Sequence, residues 1–455
     1  MTMRTISKIT LRLFILVLLG FNTTVLMGQR SSFIWPPYTS AETSFDIYND
    51  YIFLAKDKNE EVNDLYLEAK FNFYTYFTQH IYMFNSFTVE PVKDAEYGKN
   101  RAFEDIGLFW SNLNFNYETD NILIGIGRGS PNFSMGYAVA PGIWGSDDSY
   151  ETLKTGGKWG VTLAPNINLA GFADLSLSAS IFMADNTALS DSYITRRGVF
   201  YREYGGPSNT GRLDSYSFAL DGTGISGIEN MFFHIGYMKQ KVSHLSFDLE
   251  NDVPKDSLAD EHRYVVSGLY NFELNDETIL TPFIEYGVIQ NDIGLKDNSK
   301  GILTTSVELN EGNWNHSLAY SRIKNMSNGT DADSEYSLSV TSSYLFESGI
   351  EASIGYKYSN DNENSYTHTA GASLSFTLNS RNNVLLGRDF LKLNVKKQLI
   401  IITRYSRTYK IISNQYTDDD LEQLRLELID YIKAHPNGLS RPLQLSITNI
   451  ILDKQ

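Results

Sequence analysis

The chain has 455 residues, a formal net charge of −16, 29 Tyr, 26 Phe and no cysteine. Lack of cysteine excludes the small disulfide-stapled secreted folds, while the length permits one large self-sufficient fold. Nothing in the acidic composition points to nucleic acid, and no nucleic-acid partner is expected.

Arg4, Lys8 and Arg12 precede an apolar run at 13–21, Gly28 follows, and no acidic residue occurs before Glu42. That order predicts a secretory signal peptide over 1–28. A retained anchor helix is the alternative, but the run falls far short of the ~20 residues that span a bilayer. No other apolar run reaches that length, as a barrel would also leave it, because barrel strands alternate lipid-facing and lumen-facing side chains.

Alternation begins clearly at DLYLEAKFNFYTYF (64–77), where Leu65, Leu67, Ala69, Phe71, Phe73 and Phe77 share one parity. Tyr66, Glu68, Lys70, Asn72, Tyr74 and Tyr76 take the other. A period of two over this length is a strand longer than the ~5–6 residues usual in soluble sheets and long enough to cross a bilayer at a tilt. Strands are predicted near 45–55, 65–77, 81–90, 106–117, 122–127, 158–164, 172–183, 213–220, 231–239, 263–274, 279–289, 301–309, 314–321, 335–346, 350–358 and 367–378. Connections at 78–80, 118–121, 165–171, 275–278, 310–313 and 347–349 are short and polar. Those at 91–105, 128–157, 184–212, 240–262, 290–300 and 322–334 are long, with 221–230 and 359–366 ambiguous. Short and long rims predict an all-β, antiparallel transmembrane barrel of about sixteen strands, fourteen being the alternative. Both termini then lie on the periplasmic side.

In topology and loop plan, residues 45–378 resemble the sixteen-stranded porins of Gram-negative outer membranes; no short diagnostic motif is matched. The resemblance implies passive diffusion of ions and small hydrophilic solutes, no enzymatic activity and no cofactor. Its implied partners are outer-membrane lipid and lipopolysaccharide and the barrel-assembly machinery, with a homotrimer as one assembly it admits. It also implies a third external loop folded into the lumen as an acidic constriction. Here that loop contains Asp147, Asp148 and Glu151 after the apolar MGYAVAPGIWG (135–145), where Pro141 and Gly142 allow a sharp bend. An apolar external loop needs a surface to pack on, and the inner wall is one. Plain solvated loop charges are the competing reading.

The fourth loop carries Arg196, Arg197, Arg202 and Arg212. Facing the acidic loop across a lumen they would set a transverse field; otherwise they bind lipopolysaccharide phosphates or pair with local acids. Trp110, Trp159 and Trp314 suit interfacial girdles. On the polar parity, Asp50, Glu68, Asp174, Glu273, Glu285 and Glu351 outnumber Lys70, Lys158 and Lys357, which predicts a mildly cation-preferring lumen. The seven histidines show no metal-site spacing, and no GxSxG occurs. A non-conducting structural or adhesive barrel and a barrel-rim hydrolase are the rival functions.

Beyond 378 glycine nearly vanishes, and 380–455 carry twelve Lys and Arg against eight Asp and Glu. DDDLEQLRLELIDYIKAHPNG has acids at its start and Pro436, Asn437 and Gly438 after it, which predicts a helix in a short α-helical or mixed C-terminal periplasmic extension.

Overall fold

The computed structural model describes residues 37–379 apart from 79, 120, 146–151, 170–171, 244–254, 276–277, 328–329, 347 and 363–364. The expected signal peptide and C-terminal extension lie outside the described residues. Sixteen wall strands follow one another: β1 (Tyr38–Ala55), β2 (Asn63–Tyr76), β3 (Ile81–Pro91), β4 (Ile106–Glu118), β5 (Ile122–Gly129), β6 (Lys158–Asn168), β7 (Asp174–Ala184) and β8 (Ser215–Ile225). The second half comprises β9 (Ile228–Gln240), β10 (Glu261–Tyr270, continued by Phe272–Asn275), β11 (Thr278–Gln290), β12 (Asn298–Glu311), β13 (Trp314–Ser327), β14 (Thr330–Leu345), β15 (Ile350–Asn362) and β16 (Ser365–Asn379). Every consecutive pair is antiparallel, and β1 pairs with both β2 and β16, so the sheet closes and has no free edge. The predicted count of sixteen is the observed one.

Alternation sets the two faces. On β7, Leu177 and Ile181 stand exposed outside, while Ser176, Ser178 and Ser180 are buried within. Exposed Phe218, Ile235, Val266, Ile284, Leu318, Val340, Ile354 and Leu374 continue the outer apolar belt. Trp314 is exposed near the short-turn rim, its ring 4.8 Å from Tyr344.

The rims differ from expectation at one place. A long loop is expected at 322–334, but β13 runs to Ser327 and β14 starts at Thr330. Above the bilayer both faces of a hairpin meet water, so its residues lose alternation and read as loop. The ambiguous connections also prove tight, with β8 ending at Ile225 and β9 starting at Ile228, and β15 ending at Asn362 and β16 starting at Ser365.

The wall is uneven. β5 has 8 residues and pairs with β4 only from Leu113 to Glu118, leaving the outer half of β4 without a strand on that side. The fourth loop takes the place of that strand: Leu108 N donates to Ser192 Oγ and Tyr193 N donates to Leu108 O. The second loop does the same for β2, where Arg101–Ala102 pair in parallel with Asp64–Leu65.

Candidate functional site

The third loop, between β5 and β6, runs along the inside of the wall. Near its root Asn132 Nδ2 donates to Asp221 Oδ2 on β8 at 2.7 Å. On β9, His234 bonds Asp221 through Nδ1 and donates from Nε2 to the Phe133 carbonyl. Glu285 of β11 then accepts from Ser134 Oγ, Met135 N and Gly136 N at 2.9, 3.0 and 3.1 Å, and from Ser267 Oγ at 3.1 Å. A carboxylate receiving two backbone amides and two hydroxyls is fully satisfied although buried. At the bend, Gly142 takes φ +92°, and a side chain there would meet Ser317 and Thr341. Ile143 N donates to Thr341 Oγ1, and Trp144 Nε1 to Asp50 Oδ1 at 3.1 Å. Gly355 and Gly371 leave the slot for that indole, since a Cβ on Gly371 would lie 2.4 Å from it, and Lys357 Nζ sits 5.5 Å from the ring centre. On the return, Arg263 donates to the Thr152 carbonyl.

Apolar contacts follow the same path. Phe133 and Leu153 cover Phe182, Met238, Val265, Ile289, Ile302 and Ile323, all buried. Met135 covers Phe232, Leu269 and Phe283. These wall residues stand on the polar parity, where a water-filled lumen gives no reason for them. Covering them removes apolar area from water at roughly 25 cal/mol per Å².

Asp147, Asp148 and Glu151 lie outside the described residues. Of the expected lumen acids, Glu285 is buried under the third loop and Asp50 holds Trp144 and the Tyr66 hydroxyl. Glu68 stands opposite Asp46, with Glu90, Lys154 and Lys70 as its other charged neighbours. Lys70 is exposed. Asp174 accepts from Asn168 at the short-turn rim, where Glu273 is exposed and Glu351 faces Leu345 and Ser375.

The fourth-loop arginines separate. Arg196 is 83% exposed and 3.9 Å from Asp191, Arg202 is exposed, and Arg197 lies 4.8 Å over the Phe109 ring. Burial raises the Asp191 carboxyl, but the amides of Gly198, Ser192 and Arg197, with Arg196 beside it, hold it below the ordinary carboxylate value. Sequence reading missed Arg128 and Asp185, a buried ion pair beneath this loop. Arg128 also donates to the Trp110 and Ser111 carbonyls, and Asp185 to Trp159 Nε1 and Thr187 is the acceptor. Trp159 thus serves a polar network under the fourth loop. The signal available was an arginine on the outward parity of β5, where lipid would penalise it.

Among solved structures the chain is similar to Pseudomonas putida OprB, with a TM-score of 0.52 and 8% identity over 75% of this chain and 94% of that one. The fold is that of Gram-negative outer-membrane porins. Two further similar structures are the outer membrane channel DcaP of Acinetobacter baumannii (TM-score 0.47, 14% identity, 78% of this chain and 100% of that one) and Salmonella typhi OmpF in complex with daunomycin (TM-score 0.47, 12% identity, 75% and 97%). No protein-family model and no curated protein matches the chain. Within this porin fold, the His234–Asp221 pair is no hydrolase dyad, because the His234 nitrogen that would take a hydroxyl proton already donates to Phe133.

Proposed function

We propose that the chain is an outer-membrane channel for passive diffusion of ions and small hydrophilic solutes, narrowed by its third loop and not an enzyme. The observation that carries this reading is the anchoring of that loop to inward residues of β1, β8, β9, β11 and β14 by hydrogen bonds. A loop held at so many points narrows the barrel without needing its own core, and the serines and threonines lining much of the wall suit water. The lumen is mildly cation-preferring: Asp46, Glu68 and Glu90 form an acidic row on β1–β3, and Asp147, Asp148 and Glu151 add negative charge on the loop. Both termini are periplasmic. Outer-membrane lipid, lipopolysaccharide and the assembly machinery are its surroundings, and a homotrimer is its proposed assembly.

Single-channel recording of the purified protein in a planar bilayer tests the reading. Discrete conductance steps are expected, enlarged in a Trp144→Ala variant that loses the Asp50 anchor. A folded barrel that never conducts refutes the channel and leaves the structural or adhesive barrel.

A further inference from the structure

A second feature lies at the long-loop rim, where β6 and β7 end low and the fourth loop closes over them. There a cavity of about 410 Å³ is lined by Arg128, Lys158, Asp185, Arg197, Phe200 and Tyr204, among others. Three of these six are cations and one is an acid. Asp185 has no oxygen to spare: Oδ2 accepts from Arg128, and Oδ1 from Trp159 Nε1 and from Thr187 N and Oγ1. The cavity therefore carries excess positive charge.

Lys158 is the informative member. Among the described residues its ammonium makes one hydrogen bond, to Ser208 Oγ at 2.8 Å, and no ion pair. An ammonium has three donors, so two remain unused among the described residues, where Arg263 and Glu261 are the nearby charges. Arg197 also lines the cavity, and among the described residues its side chain has the Ser190 carbonyl and the Phe109 face as partners. Lys158 is half-buried and Arg197 is exposed at the cavity mouth, and two cations beside one cavity raise its potential and favour an anion there. Phe200 and Tyr204 are 40% and 49% exposed and offer apolar faces beside those donors. The volume lies within the range of small-molecule sites and exceeds what a bare inorganic anion fills.

We infer that this cavity binds a small organic anion, its carboxylate or phosphate taken by Lys158 and Arg197 and its apolar body set against Phe200 and Tyr204. The site lies beside β6, β7 and the fourth loop, apart from the acidic row on β1–β3. An anion held here is gathered at the rim by contacts distinct from those proposed to narrow the lumen.

Titration calorimetry on the full chain in detergent tests this by binding, so the result is independent of whether the barrel conducts. Benzoate and phenyl phosphate are the probes, with benzyl alcohol and inorganic phosphate as the neutral and body-less counterparts. Saturable one-to-one binding of both probes is expected, with none of benzyl alcohol and weaker binding of inorganic phosphate. Lys158→Met and Arg197→Met should each weaken phenyl phosphate about tenfold or more, the scale of one charge-assisted hydrogen bond. Both variants are checked for the heat-modifiable mobility of a folded barrel, and Arg197→Met, on the loop, serves where Lys158→Met does not fold. Absence of saturable binding by either probe overturns the site, as does unchanged affinity in folded variants. Inorganic phosphate binding as tightly as phenyl phosphate overturns the apolar half of the assignment.

Discussion

Glu285 illustrates how one side chain fixes a loop. Its bonds to Ser134, Met135, Gly136 and Ser267 are charge-assisted, and removing the charge costs about 1–3 kcal/mol. Glu285→Gln is therefore expected to speed hydrogen exchange of the Met135 and Gly136 amides while the wall strands stay protected; unchanged exchange would show that apolar packing alone holds the loop. Asp191 gives a pH prediction. A carboxyl held below its unfolded value of about 3.9 adds stability above that pH and loses it as pH falls through the folded value. Exchange protection at Arg197 and Gly198 should hold from pH 7 to 5 and fall below about pH 4, and Asp191→Asn should abolish that dependence. Neither role was legible in sequence. Glu285 read as one of several lumen acids because parity gives a side chain's face and not what covers it.

Among elements, the short β5 strand has the largest consequence. Its early end leaves half of β4 without a strand on one side, and the fourth loop and Arg128 complete the wall there. Arg128→Met strands the Asp185 carboxylate and removes the donor from two carbonyls. Breaking a buried ion pair costs about 3–5 kcal/mol. The folded band should convert at a clearly lower temperature in heat-modifiability gels, whereas conversion at the parental temperature would mean the loop closes the gap unaided. Strand existence was readable because lipid outside and polar groups inside force a period of two. The partner of the outer half of β4 was not, because Ser192 and Tyr193 are remote in sequence and carry no periodic signal. Phe182, an apolar residue among inward serines, was the readable clue to where the third loop docks.

For the whole molecule, the sign of the charge along the proposed path decides which ions pass. With Asp46, Glu68 and Glu90 on the wall and three acids on the third loop, a tenfold KCl gradient should give a cation-selective zero-current potential. The preference should weaken in Asp147→Asn with Asp148→Asn, and shrink with salt as the Debye length falls below about 10 Å above 0.1 M. An anion-selective potential would reject the acidic constriction and favour the fourth-loop arginines as its lining. Sequence alone determined the strand number, the two faces and most of the loop plan, because a bilayer leaves an unpaired backbone no solvent and imposes alternation on every strand that crosses it. Only the tertiary structure decided that the third loop lies against β8, β9, β11 and β14, that Trp144 occupies a slot made by two glycines on β15 and β16, and that three cations from β5, β6 and the fourth loop share one cavity. Those contacts join residues far apart in the chain, and their partners are set by ring closure and strand stagger, which no local pattern encodes.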